Sequence, residues 1–288
     1  MLFNILEFIN IENPRKLIIF VRHKQSNNMN FFNTTNVIYF SPTHGSEKIA
    51  KAVASGVGMS RRKFTDLTCD LDNSEIEIKD ELVIIGVPVY AGRVAPLALQ
   101  RISRIKATNC PAVLVCTYGN RDYEDALVEL YDTVTKTGFK PIAAAAFVAE
   151  HSYSRPGMGI AEGRPDNSDI ALAKKFGEDC LNKLTTYNCF VPFEIKGNRP
   201  YRIVGPSTPM APISTDDCHG CGTCIDVCPT EAIQFGEPGG KVVTDINKCI
   251  KCCACVKICP NQARIFDTPY TAMLHKGCAA RREPEIFI

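Results

Sequence analysis

The sequence has no tryptophan and no long run of basic residues. Its formal net charge is +2, so the charge pattern gives no reason to expect nucleic acid or an anionic membrane surface as a partner. No apolar run reaches the roughly 20 residues that a membrane-spanning helix needs. A Gly-rich dinucleotide-binding fingerprint and an evident acid–base pair are also missing. What remains is a chain of 288 residues, 45% of them hydrophobic, which is long enough for about two domains and a buried core.

The N-terminal stretch is apolar only in patches, because charged residues interrupt it. It has neither a basic n-region nor a small-residue cleavage site, so we predict no secretion signal. We expect residues 1–34 to be an extension whose first 28 residues need not be native. Met29 stands just ahead of the first predicted strand and is a candidate initiator. Mass spectrometry that finds residues 1–28 in the natively expressed protein would contradict this hypothesis.

Cysteine is abundant, and its distribution is uneven. Nine of the fifteen cysteines lie between positions 218 and 259. A disulfide scaffold is typical of small secreted chains, whereas clustered cysteines in a chain without a secretion signal indicate metal binding in a reducing compartment. We therefore predict a cytoplasmic metalloprotein.

The cysteine-rich region is an internal repeat. "CHGCGTCIDVCP" (218–229) and "CIKCCACVKICP" (249–260) both follow the pattern C-x2-C-x2-C-x3-C-P, offset by 31 residues. This is the spacing of bacterial iron–sulfur proteins with two clusters, in which the last cysteine of each run ligates the other cluster. The pattern predicts two [4Fe–4S] clusters. One is held by Cys218, Cys221, Cys224 and Cys259, and the other by Cys249, Cys252, Cys255 and Cys228.

Two residues of the second repeat depart from the first. Cys253 is a fifth cysteine whose counterpart is Gly222, and we expect it to be a small buried residue against the cluster rather than a redox group. Arg264 stands where the first repeat has Ile233, and it either tunes the nearby cluster or is solvated. Zinc is the alternative metal, but zinc sites pair two CxxC motifs at one centre, which fits two four-cysteine runs poorly.

The first two thirds of the chain alternate strand-like and helix-like segments. Such alternation predicts an α/β fold with a parallel sheet. Predicted strands are residues 37–40, 63–69, 81–90, 111–119 and 140–150, and predicted helices are 46–57, 95–105, 123–138 and 166–187. Five strands with crossover helices indicate a doubly wound domain, whose ligand lies at the carboxyl ends of the strands.

Three of these strands are followed by loops with related chemistry. "SPTHGSE" (41–47) offers hydroxyls and a glycine at a helix N-terminus, which can bind phosphate without Lys or Arg. "PVYAGRVA" (88–95) and "TYGNRDYED" (117–125) each supply a tyrosine and a glycine. Alone, the first loop fits an ordinary N-cap turn equally well, and each tyrosine is more often a packing residue. Together they describe a phosphate site beside two walls of a slot for a flat ring.

On these loops and on "AEHSYS", the segment resembles a flavodoxin, and with the cysteine repeat it resembles the flavodoxin–ferredoxin fusion proteins of anaerobic bacteria and archaea. The resemblance covers nearly all of residues 35–288. It implies a five-stranded parallel sheet of order 2-1-3-4-5 that binds FMN, followed by a small α+β ferredoxin domain with two clusters. The residues it assigns to FMN are Ser41, Thr43, His44, Gly45, Ser46, Val89, Tyr90, Ala91, Gly92, Thr117, Tyr118, Gly119 and Asn120.

Some residues near these motifs have no assigned role. His44 departs from the resemblance, since glycine is common at that position in related loops. Glu150 and His151 follow the fifth strand, and we expect them to lie away from the ring slot, with His151 a hydrogen-bonded surface residue rather than a proton donor. Six cysteines fit no motif and are expected to be core or unpaired surface thiols: Cys69, Cys110, Cys116, Cys180, Cys189 and Cys278.

The expected organisation is an extension (1–34), a flavodoxin-like domain (35–187), an extended Pro-rich linker (188–215), a two-cluster domain (216–268) and a tail (269–288). The function this predicts is electron transfer between the clusters and FMN, with redox proteins as donors or acceptors. One alternative is an FMN-dependent reductase of a small acceptor. The other is a redox sensor or docking module whose first domain lacks FMN. No catalytic residue is predicted.

Overall fold

The computed structural model describes residues 32–186, 193–206 and 208–288. The predicted extension, apart from its last three residues, and Cys189 lie outside the described residues. The strands are β1 (Thr34–Tyr39), β2 (Arg61–Asp66), β3 (Ile76–Lys79), β4 (Leu82–Tyr90), β5 (Arg93–Val94), β6 (Ile105–Thr108), β7 (Cys110–Tyr118), β8 (Phe139–Val148), β9 (Ile213–Ser214), β10 (Ile233–Phe235), β11 (Val242–Thr244), β12 (Arg264–Ile265) and β13 (Glu285–Phe287). The helices are α1 (Gly45–Val57), α2 (Pro96–Ser103), α3 (Ala126–Lys136), α4 (Asn167–Thr186), α5 (Thr223–Asp226), α6 (Ala254–Lys257) and α7 (Pro269–Gly277).

The central sheet has the predicted architecture. Five parallel strands pair in the order β2-β1-β4-β7-β8, which is the order 2-1-3-4-5 expected for a flavodoxin-like fold. Strand β7 is buried along its whole length, and β4 is buried over its first six residues. Strands covered on both faces are apolar throughout, which is why these segments have no alternation of apolar and polar residues.

Helices cover both faces of the sheet. Helices α1 and α4 pack on one face around Val53 and Phe176, and α2 and α3 pack on the other around Ile102 and Leu127. All four core side chains are at most 1% exposed. The apolar residues recur at helical spacing, so each helix buries one face against the sheet. The doubly wound arrangement brings the ends of β1, β4 and β7 to one edge, where the loops with cofactor chemistry meet.

Four short strands in this region have no counterpart in the sequence prediction. β3 and β6 form a separate parallel pair, and β5 pairs with the end of β4. β13 adds to the edge of the sheet antiparallel to β8, so the last residues of the chain return to the first domain. Strands of two to four residues are too short for periodicity to identify them, and the pairing of β13 depends on a partner far away in sequence.

The cysteine repeat is also a structural repeat. Helices α5 and α6 are 31 residues apart, as are the first residues of β10 and β12. β10 pairs with β11, and β12 pairs with β9, so each half of the repeat contributes one strand to a two-stranded sheet. The core that these elements share is small, with Cys224, Ile233, Val242 and Cys255 as its buried members.

The segment between the two domains lies along α3. Residues 193–206 contain no helix or strand. Asn198 donates to Asp125 at 2.8 and 3.0 Å, the Tyr201 hydroxyl donates to Asp132 at 2.5 Å, and Phe193 meets Tyr131 edge to face. This part of the linker is therefore extended and held against the first domain. Within the described residues, no helix is long and apolar enough to cross a membrane.

Candidate cofactor sites

The eight motif cysteines line two separate cavities. One cavity contains Cys218, Cys221, Cys224 and Cys259. The other contains Cys228, Cys249, Cys252 and Cys255, together with Cys253. Each cavity therefore combines three cysteines of one repeat with the last cysteine of the other, which is the crossed arrangement that the spacing predicts. Their role as ligands stays a prediction.

Backbone geometry at the crossed cysteines suits a thiolate. The Ala232 N–H donates to Cys228 Sγ at 3.2 Å, and the Ala263 N–H donates to Cys259 Sγ at 3.3 Å. These two contacts are equivalent in the repeat. Hydrogen bonds from amides to cluster sulfurs are one of the features that set a cluster's potential. Across the described residues, no three His, Cys, Asp or Glu side chains converge closely enough to hold a single metal ion.

The fifth cysteine occupies a special backbone position. Cys253 is 2% exposed and precedes α6 with a φ of 60°, in the left-handed region. Its counterpart Gly222 precedes α5 with a φ of 81°. The repeat thus preserves the conformation, although the second half carries a side chain where glycine is the favoured residue. Cys253 is a small buried residue beside the second cluster cavity, as its place in the sequence suggested.

A larger cavity of about 660 Å³ lies at the carboxyl ends of β1, β4 and β7. Its volume is within the range of natural cofactor pockets. Ten of the thirteen residues assigned to FMN line it: Ser41, Thr43, Gly45, Ser46, Val89, Tyr90, Ala91, Thr117, Tyr118 and Gly119. The three loops that the sequence singled out therefore meet at one site.

The first loop forms a tight turn into α1. Ser41 Oγ accepts from the Glu47 N–H at 3.0 Å, and the Ser46 hydroxyl bonds to the Thr117 hydroxyl at 2.6 Å. The first N–H groups of a helix have no partner inside the helix and, with the helix dipole, attract an anion. Gly45 packs so closely on Ala149 that an added Cβ would lie 2.9 Å from the alanine methyl. These hydroxyls and the start of α1 fit a phosphate group.

The structure places the other three assigned residues outside the cavity lining. His44 turns to the surface and bonds Glu47 at 2.7 Å, and its φ of 63° explains why glycine suits this position. Gly92 packs against Glu124, where an added Cβ would overlap the carboxylate. Asn120 donates to the carbonyls of Cys278 and Ala280 at 2.6 and 2.7 Å. Asn120 therefore holds the C-terminal tail.

The expectation that Glu150 and His151 lie away from the ring slot is wrong. Both line the large cavity, together with the predicted ring-slot residues Tyr90 and Tyr118. The His151 ring is packed against Gly119, where an added Cβ would lie 2.2 Å from it. His151 Nδ1 accepts from the Tyr153 N–H at 3.0 Å, which leaves the ring proton on Nε2. Burial, with Lys257 and Arg121 nearby, lowers the His151 pKa to about 4, so the ring is neutral at pH 7.

The large cavity shares a wall with the second cluster cavity. Cys249 and Ile250 line both of them. Ile250 and Tyr90 pack against the same apolar core of the first domain. Burial, together with the neighbouring cysteines of the second repeat, raises the pKa of Tyr90 well above its usual value. A residue of the predicted cluster site thus lies at the edge of the predicted flavin site.

The cavity extends beyond the predicted loops. One side is formed by linker residues and by α7, which sequence reasoning had not connected to the site. Tyr270 and Met273 of α7 are 45% and 59% exposed, so they stand at its mouth. Apolar lining residues on this side include Val204, Met210, Phe266, Tyr270, Met273 and Leu274. The sequence shows only that these residues are apolar. Their convergence at one cavity depends on how the second domain packs on the first.

Direct contacts fix this packing. Arg101 of α2 is 7% exposed and donates to the carbonyls of Leu67 and Thr68 at 2.9 and 2.6 Å, and to that of Pro229 at 2.7 Å. Lys257 of α6 donates to Glu150 at 2.7 Å. The two domains therefore meet through a buried arginine at the first repeat and a partly exposed ion pair at the second.

Comparisons with known proteins give one family match and several similar solved structures. Residues 210–260 match the family described as 4Fe-4S dicluster domain. No curated protein matches the chain. Similar solved structures include an archaeal flavodoxin (12% identity, 52% of this chain and 98% of that chain, TM-score 0.35). The FMN-bound Fusobacterium nucleatum flavodoxin is 17% identical, with 52% of this chain and 96% of that chain covered and a TM-score of 0.34. The azoreductase AzrA is 10% identical, with 52% of this chain and 99% of that chain covered and a TM-score of 0.34.

TM-scores below 0.5 are too low to establish a fold. The order and pairing of the strands identify the flavodoxin-like fold. The chain thus combines an N-terminal flavodoxin-like domain with a C-terminal 4Fe–4S dicluster domain.

Proposed function

We propose that this protein transfers electrons between two [4Fe–4S] clusters and an FMN within a single chain. The observation that carries the proposal is the shared wall, where Cys249 lines both the second cluster cavity and the large cavity. When bound, the clusters would exchange single electrons and FMN one or two, which would allow conversion between one-electron and two-electron partners. The proposed partners are redox proteins.

The residues present fit both cofactors. Each cluster cavity supplies four motif cysteines, and the crossed cysteines accept hydrogen bonds from backbone N–H groups. The large cavity supplies hydroxyls and a helix N-terminus for a phosphate, and two tyrosines for a flat ring. In the proposal, Cys218, Cys221, Cys224 and Cys259 hold one cluster, and Cys228, Cys249, Cys252 and Cys255 hold the other.

Residues around the flavin site have distinct tasks in this proposal. Ser41, Thr43 and Ser46 bind the phosphate with the first N–H groups of α1. Tyr90, which lies near Cys249 and Cys252, would line the ring slot on the side of the second cluster. His151 is neutral and offers the Nε2 proton as a hydrogen-bond donor to a group in the cavity.

Anaerobic purification with FMN, iron and sulfide counted per chain tests the proposal. We expect about eight irons, about eight sulfides and one FMN for two [4Fe–4S] clusters and an intact flavin site. Eight irons without FMN, even after FMN is added, would contradict the flavin half and favour the sensor or docking-module alternative. Fewer than eight irons in the anaerobic protein would contradict the two-cluster half.

The apolar side of the large cavity favours a second candidate, an FMN-dependent reductase of a small apolar acceptor. Val204, Met210 and Tyr270 line space next to the predicted flavin loops. An acceptor bound there would lie beside the ring. Steady reduction of a defined acceptor, lowered at least tenfold in kcat/KM by Met210→Glu with FMN content unchanged, would support this activity. Turnover that is insensitive to Met210→Glu would count against it.

A further inference from the structure

Arg264 is the largest fully buried side chain among the described residues, at 2% exposure. It occupies the first position of β12, where the first repeat has Ile233 at the start of β10. The two positions are equivalent in the repeat, and an apolar residue suits the buried one. A buried arginine at such a position therefore needs a reason beyond packing.

Its hydrogen-bond partners are neutral. The guanidinium donates to the Ser214 hydroxyl at 2.8 Å, to the Pro212 carbonyl at 3.0 Å and to the Thr244 hydroxyl. No ion pair joins Arg264 to a carboxylate in the described part of the chain, and its buried Nε–H has no acceptor there. Neutral acceptors only partly compensate a buried charge, so an anion close to the guanidinium would stabilise it further.

The cysteines of the two predicted cluster sites are the nearest source of negative charge. Arg264 lines the cavity of Cys218, Cys221, Cys224 and Cys259. Its Nη2 also lies 3.9 Å from the sulfur of Cys255, which belongs to the second cavity. A single guanidinium thus borders both sites, and the thiolates of two bound clusters would provide the missing negative charge.

We propose that Arg264 is a positioning residue for electron transfer, whose buried positive charge stabilises the reduced state of both clusters and so raises both reduction potentials. The proposal rests on the proposed function, because it requires both clusters to be present. Reduction adds negative charge to a cluster, and a nearby cation in a medium of low dielectric constant favours that state. Charge and hydrogen bonding are among the features by which proteins set cluster potentials.

The test uses the anaerobic holoprotein and two variants of this residue. Arg264→Met removes the charge at similar length, and Arg264→Lys keeps it. Lys248→Met is the matched control, since it removes one positive charge from an exposed position next to Cys249. Iron and sulfide are counted first, and both cluster potentials are then measured by titration followed by electron paramagnetic resonance.

We expect Arg264→Met to keep eight irons and to shift both potentials to more negative values, several-fold further than Lys248→Met does. Arg264→Lys should remain close to the unmodified protein. Eight irons with potentials unchanged, or shifted no further than in the control, would overturn the proposal. If Arg264→Met loses iron while Arg264→Lys retains it, the charge is required by the clusters and the proposal stands. Equal loss from both variants would mean that Arg264 has only a packing role, which would also overturn it.

The count on the unmodified protein separates this proposal from the proposed function. Fewer than eight irons in the unmodified protein would contradict both proposals. Eight irons with cluster potentials that do not respond to the Arg264 substitutions would contradict only the role of Arg264.

Discussion

The two domains differ in how much apolar core they have. Among the described residues, the flavodoxin-like domain has 26 buried apolar residues in the core on one face of its sheet and 20 in the core on the other. The core of the dicluster domain has four buried members, two of which, Cys224 and Cys255, are predicted cluster ligands. Hydrophobic burial is the main stabilising term in a domain of ordinary size, and small domains need metals or cross-links to compensate for a small core. We therefore expect one domain to be stabilised by its apolar core and the other by its predicted clusters.

The largest expected effect comes from removing the clusters. Ligand binding to a metal is part of the folding free energy in small metal-dependent domains. Treatment with an oxidant and a chelator should therefore unfold β10, β11 and both short helices while the central sheet remains folded. Hydrogen exchange of backbone amides measures this, with β7 as the internal control. Protection of β10 and β11 that survives complete loss of iron would contradict the comparison.

Arg101→Met tests the contact that joins the two domains. The substitution leaves the carbonyls of Leu67, Thr68 and Pro229 without their donor, which should lower the free energy of unfolding by about 3 kcal/mol. In denaturant, absorbance of the dicluster domain should be lost before the helical signal. Arg104→Met is the control, because Arg104 pairs with Asp70 inside the first domain. Coincident transitions with a loss below 1 kcal/mol would show that Arg101 does not couple the domains.

Asn120→Ala distinguishes a tail contact from a flavin contact. Asn120 makes two donor contacts to tail carbonyls and accepts from the Arg282 N–H, so its loss should cost about 2 kcal/mol and should increase hydrogen exchange in β13. FMN content should stay unchanged, because Asn120 is outside the cavity lining. The exposed Asn109→Ala serves as control. A loss of FMN without a change in the exchange of β13 would support the flavin role that the family resemblance implied.

His151 should make stability depend on pH. Its pKa is lowered to about 4 in the folded protein from a usual value of 6.5, so the unfolded chain binds the proton more readily. The contribution of neutral His151 to the free energy of unfolding is complete above pH 6.5 and is lost as the pH falls towards 4. Between pH 7.5 and 5.5 the loss is about 1 kcal/mol. Denaturant unfolding should show this slope in the unmodified protein and a smaller one in His151→Gln. Equal slopes would mean that His151 is not buried in its neutral form.

The smallest expected effect is that of Cys253→Gly. Relief of the left-handed backbone should offset the loss of a small buried side chain, so unfolding free energy should change by less than about 1 kcal/mol. Iron content should remain at the level of the unmodified protein, as expected for the residue equivalent to Gly222. A fall in iron content would instead make Cys253 a ligand and would break the repeat on which the ligand sets are based.

Sequence patterns predicted what depends on local spacing. The alternation of strands and helices predicted a doubly wound parallel sheet, the family resemblance implied its strand order, and the strict repeat predicted the grouping of eight cysteines into two cavities. The sequence could not show that α7 and the linker complete the large cavity, nor that His151 faces it, because these placements depend on contacts between segments far apart in the chain. Arg264 was visible as a departure from the repeat, but its burial between the two sites required the fold.

The most direct measurement of the central claim is the rate of electron exchange after rapid mixing of the anaerobic holoprotein with a limiting one-electron donor. Absorbance can follow the redistribution of electrons between clusters and flavin at several protein concentrations. If the second cluster and FMN share a wall within one chain, the exchange rate constant will be independent of protein concentration. A rate that increases in proportion to protein concentration would mean that electrons move between molecules, and it would contradict the relay.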